Sequence, residues 1–258
     1  MNLFQAIILA AVEGITEFLP VSSTGHMVLT AQILGVTQTE FVKNFEIIIQ
    51  FGAILAVIVL YRKLLLNTKI WPQIIIAFIP AAIIGFTLFK FIKGYLLGNE
   101  LITVIALFSG GVAFIVFELW YKNHKPTNLI TDIEKITHKN ALIVGIFQSI
   151  SVIPGVSRSG ATILGGMLRD EDRKTAAKFS FILAIPTIAA ASSLDLIKSN
   201  LSFTQNEIVM LIVGFLTAFV VAVLTIKLFM DYLTKHTFIP FGVYRIVAAV
   251  VFYIIFLR

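Results

Sequence analysis

At 258 residues, with hydrophobic side chains at 58%, charged ones at 13% and a mean hydropathy of +0.96, the chain is far from the balance of a water-soluble domain. It reads as an all-α integral membrane protein. Cysteine is absent, which excludes a disulfide framework, a thiolate metal site and a cysteine nucleophile, and the net charge of +6 calls for no nucleic-acid partner because most of it falls in polar loops.

The start, Met1 to Ala11, has no basic n-region and runs directly into Glu13, so it is expected to stay in the fold. Leu3 to Leu34 is apolar but interrupted by "EFLPVSSTG". Pro20 cannot donate to a helix ladder, and the Ser, Thr and Gly after it favour caps, which predicts a short helix, a break and a second short helix. Neither arm is long enough to cross a bilayer comfortably, so a re-entrant pair is expected. Three spans follow at Phe45–Tyr61, Gln73–Phe91 and Leu101–Tyr121. After a polar stretch, Ala141 to Leu168 repeats the interrupted pattern around "SVIPGVSRSG", with Pro154 in the break. Three more spans are expected at Phe179–Leu194, Ile208–Phe229 and Phe241–Leu257.

The two interrupted regions match each other. An ungapped shift of about 135 residues lays Val21-Ser22-Ser23-Thr24-Gly25 on Val156-Ser157-Arg158-Ser159-Gly160 and Glu13 on Gln148. One membrane domain of two repeats results, about 1–121 and 140–258, with a linker at about 122–139. Each repeat holds one re-entrant pair and three spans, and that odd number of crossings makes the repeats inverted. Arg62, Lys63, Lys69, Lys122, Lys125, Lys135, Lys139, Arg169, Arg173, Lys174, Lys178, Lys227 and Lys235 fall on one side of this arrangement. Only Lys43, Lys90, Lys93, Lys198 and Arg258 fall on the other. The richer side is expected to be cytoplasmic, with both termini outside.

Broken helices in inverted repeats bring free N–H groups and positive dipole ends together near the midplane, which suits an anion. "SRSG" adds the Arg158 guanidinium and two hydroxyls to such a helix start, a phosphate-binding arrangement; the plain alternative is an arginine that ties down carbonyls. Only the first break carries acids and a histidine. Glu13 and Glu17, four apart on one helix face, can hold a hard divalent cation or divide acid and base work; the alternative is two acids at a wet membrane edge. His26 is a candidate nucleophile, acid or ligand, or a hydrogen-bonding residue without chemistry. Ser22, Ser23 and Thr24 are caps by default, with one a candidate nucleophile. Glu46 and Gln50 are weaker candidates bordering the site, and His124, His138 and His236 need only solvent.

"EGITEFLPVSSTGH" together with "PGVSRSGAT" and "NFEIIIQFGAILAV" resembles the bacterial undecaprenyl-diphosphate phosphatases, the bacitracin-resistance phosphatases, over essentially the whole chain. The resemblance implies a bacterial cytoplasmic-membrane enzyme that removes the terminal phosphate from undecaprenyl diphosphate, yielding the carrier lipid of cell-wall synthesis. It implies Glu13, Glu17, Ser23, His26 and Arg158 as catalytic, with Ser22, Thr24, Ser157, Ser159, Gly160 and Thr162 around the phosphate. It further implies a Mg²⁺ or Ca²⁺ ion on Glu13 and Glu17 and a site open to the outer face. A polyprenyl-phosphate transporter or flippase is the alternative. Oligomeric state is left open, a homodimer being one option.

Overall fold

The computed structural model describes residues 1–96, 99–124, 126, 128–197, 199 and 202–257, the side chains of Lys93 and Phe256 excepted. Lys125, Lys198 and Arg258 of the charge comparison thus lie outside the described residues, as does the Lys93 side chain. Among the described residues there is no strand, and ten helices have ten or more residues: α1 Leu3–Thr16, α2 Ser23–Ile33, α3 Glu40–Leu60, α4 Trp71–Thr87, α5 Glu100–Asn123, α6 His138–Ser149, α7 Arg158–Met167, α8 Arg173–Ile197, α9 Gln205–Tyr232 and α10 Ile239–Phe256. Their starts follow local chemistry. Asn2 with Gln5, and Thr204 with Glu207, form reciprocal capping boxes, and the side chains of Thr39, Asn99 and Thr137 accept first-turn N–H groups of α3, α5 and α6.

Among the described residues, five helices are long and apolar enough to cross a membrane: α3, α4 with its preceding turn from Thr68, α5, α8 and α9. The sixth expected span, α10, is an apolar helix of 18 residues. Two boundaries differ from expectation. The span set at Phe179 begins at Arg173, because the Asp172 carboxylate accepts the Thr175 N–H at 2.6 Å and caps the helix two turns earlier. The second span ends at Thr87 rather than Phe91, giving way to a single turn at Phe89–Phe91 and a π-helical turn at Ile92–Leu96. Large apolar side chains such as Ile105, Val116, Leu224 and Leu228 face outward, as lipid-facing positions require.

Both interrupted regions form a helix, a break and a helix. The breaks have the same backbone: Ser22 has φ 73° and ψ 91°, and Ser157, its partner under the shift, has φ 75° and ψ 113°. Non-glycine residues rarely adopt positive φ, so the two breaks share an uncommon backbone conformation. Each pair leans on a span from the other half of the chain, α1 on α9 and α6 on α4, while α5 packs along α10. That last contact needs bare backbone: a Cβ on Gly111 would stand 2.7 Å from the Gly242 carbonyl oxygen, and one on Gly242 equally close to that of Gly111.

The bundle has two polar ends. At one, Gln32 donates to Glu100 at 2.8 Å and Phe203 meets Phe41. At the other, Asn67 donates to Glu134 at 2.6 Å, and Arg173 and the Phe238 N–H converge on Glu118. The connection between α5 and α6 is anchored: Ile133 and Ile136 are buried, and Ile130 exchanges backbone hydrogen bonds with Asp170 and Asp172.

Glu171 sits in that exchange, in the turn between α7 and α8, fully buried with both carboxylate oxygens lacking hydrogen-bond partners. Burial, reinforced by the charge of Asp172, pushes its carboxyl up from 4.5 to about 8. The folded value lies above the unfolded one, so between them the unfolded chain releases a proton that the folded chain keeps. Stability therefore falls as pH rises through that window. Glu171→Gln is expected to flatten the decline: in detergent, its melting temperature should exceed that of the unsubstituted protein at about pH 8 and match it at about pH 5. Parallel pH profiles for the two proteins would contradict this.

Candidate active site

The two breaks meet side to side. The Ser159 hydroxyl donates to the Leu19 carbonyl at 2.8 Å, and the Arg158 guanidinium reaches the Glu17 carboxylate, Nη2 to Oε1, at 2.8 Å. The second oxygen of Glu17 accepts from the Ser23 hydroxyl at 2.6 Å. One carboxylate thus joins a guanidinium from the second half to a hydroxyl from the first. Arg158 is held further by the Ser180 carbonyl at 2.9 Å and by the Phe18 ring, 5.9 Å away, while its Nε has no hydrogen-bond partner. A guanidinium braced on two sides is held in a fixed orientation.

These groups open on a cavity of about 730 Å³. Its polar floor includes Glu17, Ser22, Ser23, Thr24, Ser157 and Arg158, and also Gln148, whose Nε2 is buried without a partner. Its walls are apolar: Phe78, Ala82 and Phe86 on α4 face Ile188, Ala191 and Leu194 on α8. Each wall is the helix segment around or after an internal proline, Pro80 or Pro186, neither of which ends its helix. The cavity runs toward the end of the bundle that carries the α4–α5 and α8–α9 connections. A charged floor under a greasy shaft fits an amphiphile with an anionic head.

A family described as bacitracin resistance protein BacA matches residues 6–251. The chain is 50% identical to an undecaprenyl-diphosphatase of Aquifex aeolicus over 258 residues, all of both chains. It is 52% identical to one of Persephonella marina over 253 residues, 98% of each, and 43% identical to one of Methanococcus aeolicus over the full length of both. The chain belongs to the BacA family.

Not every expected residue of this BacA-family chain lines the cavity. Ser159, Gly160 and Thr162 stand behind its wall, because their polar atoms are committed locally. Ser159 holds Leu19, the Gly160 N–H caps on Ser157 Oγ at 3.1 Å, and the Thr162 hydroxyl lies within hydrogen-bond distance of the Arg158 carbonyl, which accepts, and of the Ser180 hydroxyl. They shape the Arg158 turn without presenting donors to the cavity. His26 also lies off it, with Nδ1 2.8 Å from the Ser22 carbonyl and Nε2 2.6 Å from the Tyr244 hydroxyl. Glu13 is 1% exposed, one turn before Glu17, with Oε1 unpartnered. Gln50 borders the cavity and accepts from Ser192 at 3.0 Å, whereas Glu46 turns to Gln38 outside it.

Arg245 is the main residue the sequence reading passes over. Fully buried in α10, it donates to the carbonyls of Pro20, Gly155 and Val156 in the two breaks and to Ala106 and Leu107 of α5, at 2.9–3.3 Å. A lone arginine inside an apolar span is a signal in itself. Its partners are not readable from spacing.

The donor set offers a cation little. Among the described residues no three acidic or histidine side chains are grouped to hold a metal ion, and both Glu17 oxygens are engaged. The unpartnered Glu13 Oε1 is the feature that fits one.

Proposed function

We propose that the chain hydrolyses undecaprenyl diphosphate to undecaprenyl phosphate and inorganic phosphate, as the names of its relatives indicate for them. The observation that carries this reading is the Glu17 carboxylate shared by the Ser23 hydroxyl and the Arg158 guanidinium on the floor of an apolar-walled cavity. Arg158 binds the terminal phosphate and stabilises its charge. Glu17 takes the Ser23 proton as the hydroxyl oxygen bonds to phosphorus, and the bridging oxygen leaves with the lipid monophosphate. Water then breaks the serine–phosphate bond, releasing inorganic phosphate and restoring the hydroxyl. The isoprenoid tail lies between α4 and α8. A divalent cation, when bound, would supply neutralisation of phosphoryl charge; Glu13, with its unpartnered Oε1, would hold it. The relatives' names favour hydrolysis over transport.

The α1–α2 and α6–α7 pairs read as re-entrant and the halves as inverted repeats, supported by arms of 10–14 residues and by the matched serine conformations. We read the Glu118 end as the cytoplasmic one, a reading supported by its basic loops, with the cavity then facing outward. One experiment tests the whole reading. In oriented proteoliposomes, phosphate from undecaprenyl diphosphate should appear in the compartment from which a cysteine placed at Asn99, and not one at Asn128, is labelled by an impermeant reagent. Ser23→Ala should abolish release, and Glu13→Gln should weaken its response to Mg²⁺ after chelation. No phosphate release from the unsubstituted protein would refute the activity, labelling of both cysteines from one side the topology, and an unchanged metal titration the role of Glu13.

A further inference from the structure

His26 is bonded in a way that defines its role. A carbonyl oxygen only accepts, so the 2.8 Å contact with Ser22 O requires that Nδ1 carry the proton. In the neutral ring Nε2 is then the acceptor, and the Tyr244 hydroxyl, 2.6 Å away, donates to it. The two rings lie nearly parallel, 5.5 Å between centroids. Both nitrogens are committed, on the side of the α1–α2 break away from the cavity. Neither is free to attack phosphorus, to bind a metal or to protonate a leaving group.

The atom that His26 holds matters more. Ser22 has φ 73°, a strained conformation for a side chain that is not glycine, and its carbonyl accepts a second bond from the His26 backbone N–H at 3.3 Å. The peptide between Ser22 and Ser23 is thereby fixed with its C=O along α2, toward His26. In a trans peptide the N–H points the other way, so that of Ser23 points out of the α2 N-terminus, where Ser23 lines the cavity. The equivalent serine behaves differently: Ser157 caps its own helix through Gly160, whereas Ser22 makes no side-chain cap to α2. The corner before Ser23 is therefore stabilised from outside, by the histidine and the tyrosine.

We propose that His26 and Tyr244 are a positioning pair that holds the Ser22 carbonyl and so aims the Ser23 hydroxyl at Glu17. The proposal rests on the phosphatase reading and assigns His26 no chemical step. A glutamine side chain can donate an N–H to the Ser22 carbonyl but cannot act as a nucleophile or titrate. His26→Gln should thus keep kcat within about tenfold of the unsubstituted protein, while His26→Ala loses about a hundredfold, the scale of a slightly misplaced reacting group. Tyr244→Phe should lower kcat with KM unchanged. Independently of substrate, ¹⁵N spectra of the labelled protein should show His26 as the Nδ1–H tautomer. The proposal is overturned if folded His26→Gln is as inactive as His26→Ala, if phosphate is trapped on His26, or if the spectra show the Nε2–H tautomer. Absence of phosphate release from the unsubstituted protein would refute the activity instead, leaving the tautomer to decide the pairing.

Discussion

Arg158→Ala is expected to lower phosphate release at least about a hundredfold, the scale on which preorganised charge stabilisation acts. Two losses add. The substrate loses the guanidinium, and Glu17, 9% exposed, is left without the cation that now sits 2.8 Å away. Breaking a buried pair from one side costs about 3–5 kcal/mol, because the remaining charge stays desolvated. Arg158→Lys should restore little. A single ammonium cannot span Glu17 and the Ser180 carbonyl while offering a further donor to the cavity. The measurement is initial-rate phosphate release from purified variants matched for folded protein. A rate near that of the unsubstituted enzyme for either variant would reduce Arg158 to a brace between α7 and α8.

Arg245→Met is expected to have the larger effect on the fold. The guanidinium serves five carbonyl oxygens, three in the two breaks and two in α5, within a site closed to solvent. Each carbonyl left without a donor in such a place costs about 1–3 kcal/mol. The two α5 carbonyls keep their helix donors, but the three in the breaks together cost about 3–9 kcal/mol, a large part of the about 5–15 kcal/mol stability of an ordinary domain. Thermal unfolding in detergent should show a melting temperature strongly lowered or an aggregated protein, with Arg245→Lys only partly better. A variant that melts normally and merely turns over slowly would move Arg245 from the frame to the chemistry.

What could be read from sequence was what short-range chemistry records. Proline followed by Ser, Thr and Gly marked both breaks, and the shift of about 135 residues put Ser22 against Ser157, which share a rare backbone conformation. The same shift placed Ser23 opposite Arg158, and the two do meet, through Glu17. What could not be read depends on direction and on distant partners. Helical spacing puts His26 near Ser23 along α2, but the side chain of a residue four positions on from Ser22 turns back to its carbonyl, away from the cavity. Nothing near position 245 announces that its partners are at 20, 106, 107, 155 and 156. Gln148, matched to Glu13 by the shift, reads as the inert copy of an acid, although it lines the cavity and Glu13 does not.

The packing of each helix pair on a span from the other half has a consequence for biogenesis. With α1 seated on α9 and α6 on α4, neither half encloses its own interior. A nascent chain that has inserted only its first five helices holds Glu13 and Glu17 with no counter-ion, since Arg158 is 141 positions from Glu17 along the chain. Its first helix meanwhile waits for a neighbour not yet made. Contacts of such long sequence separation form late and slowly. The contacts that close the two halves on one another are therefore complete only once translation has passed α9.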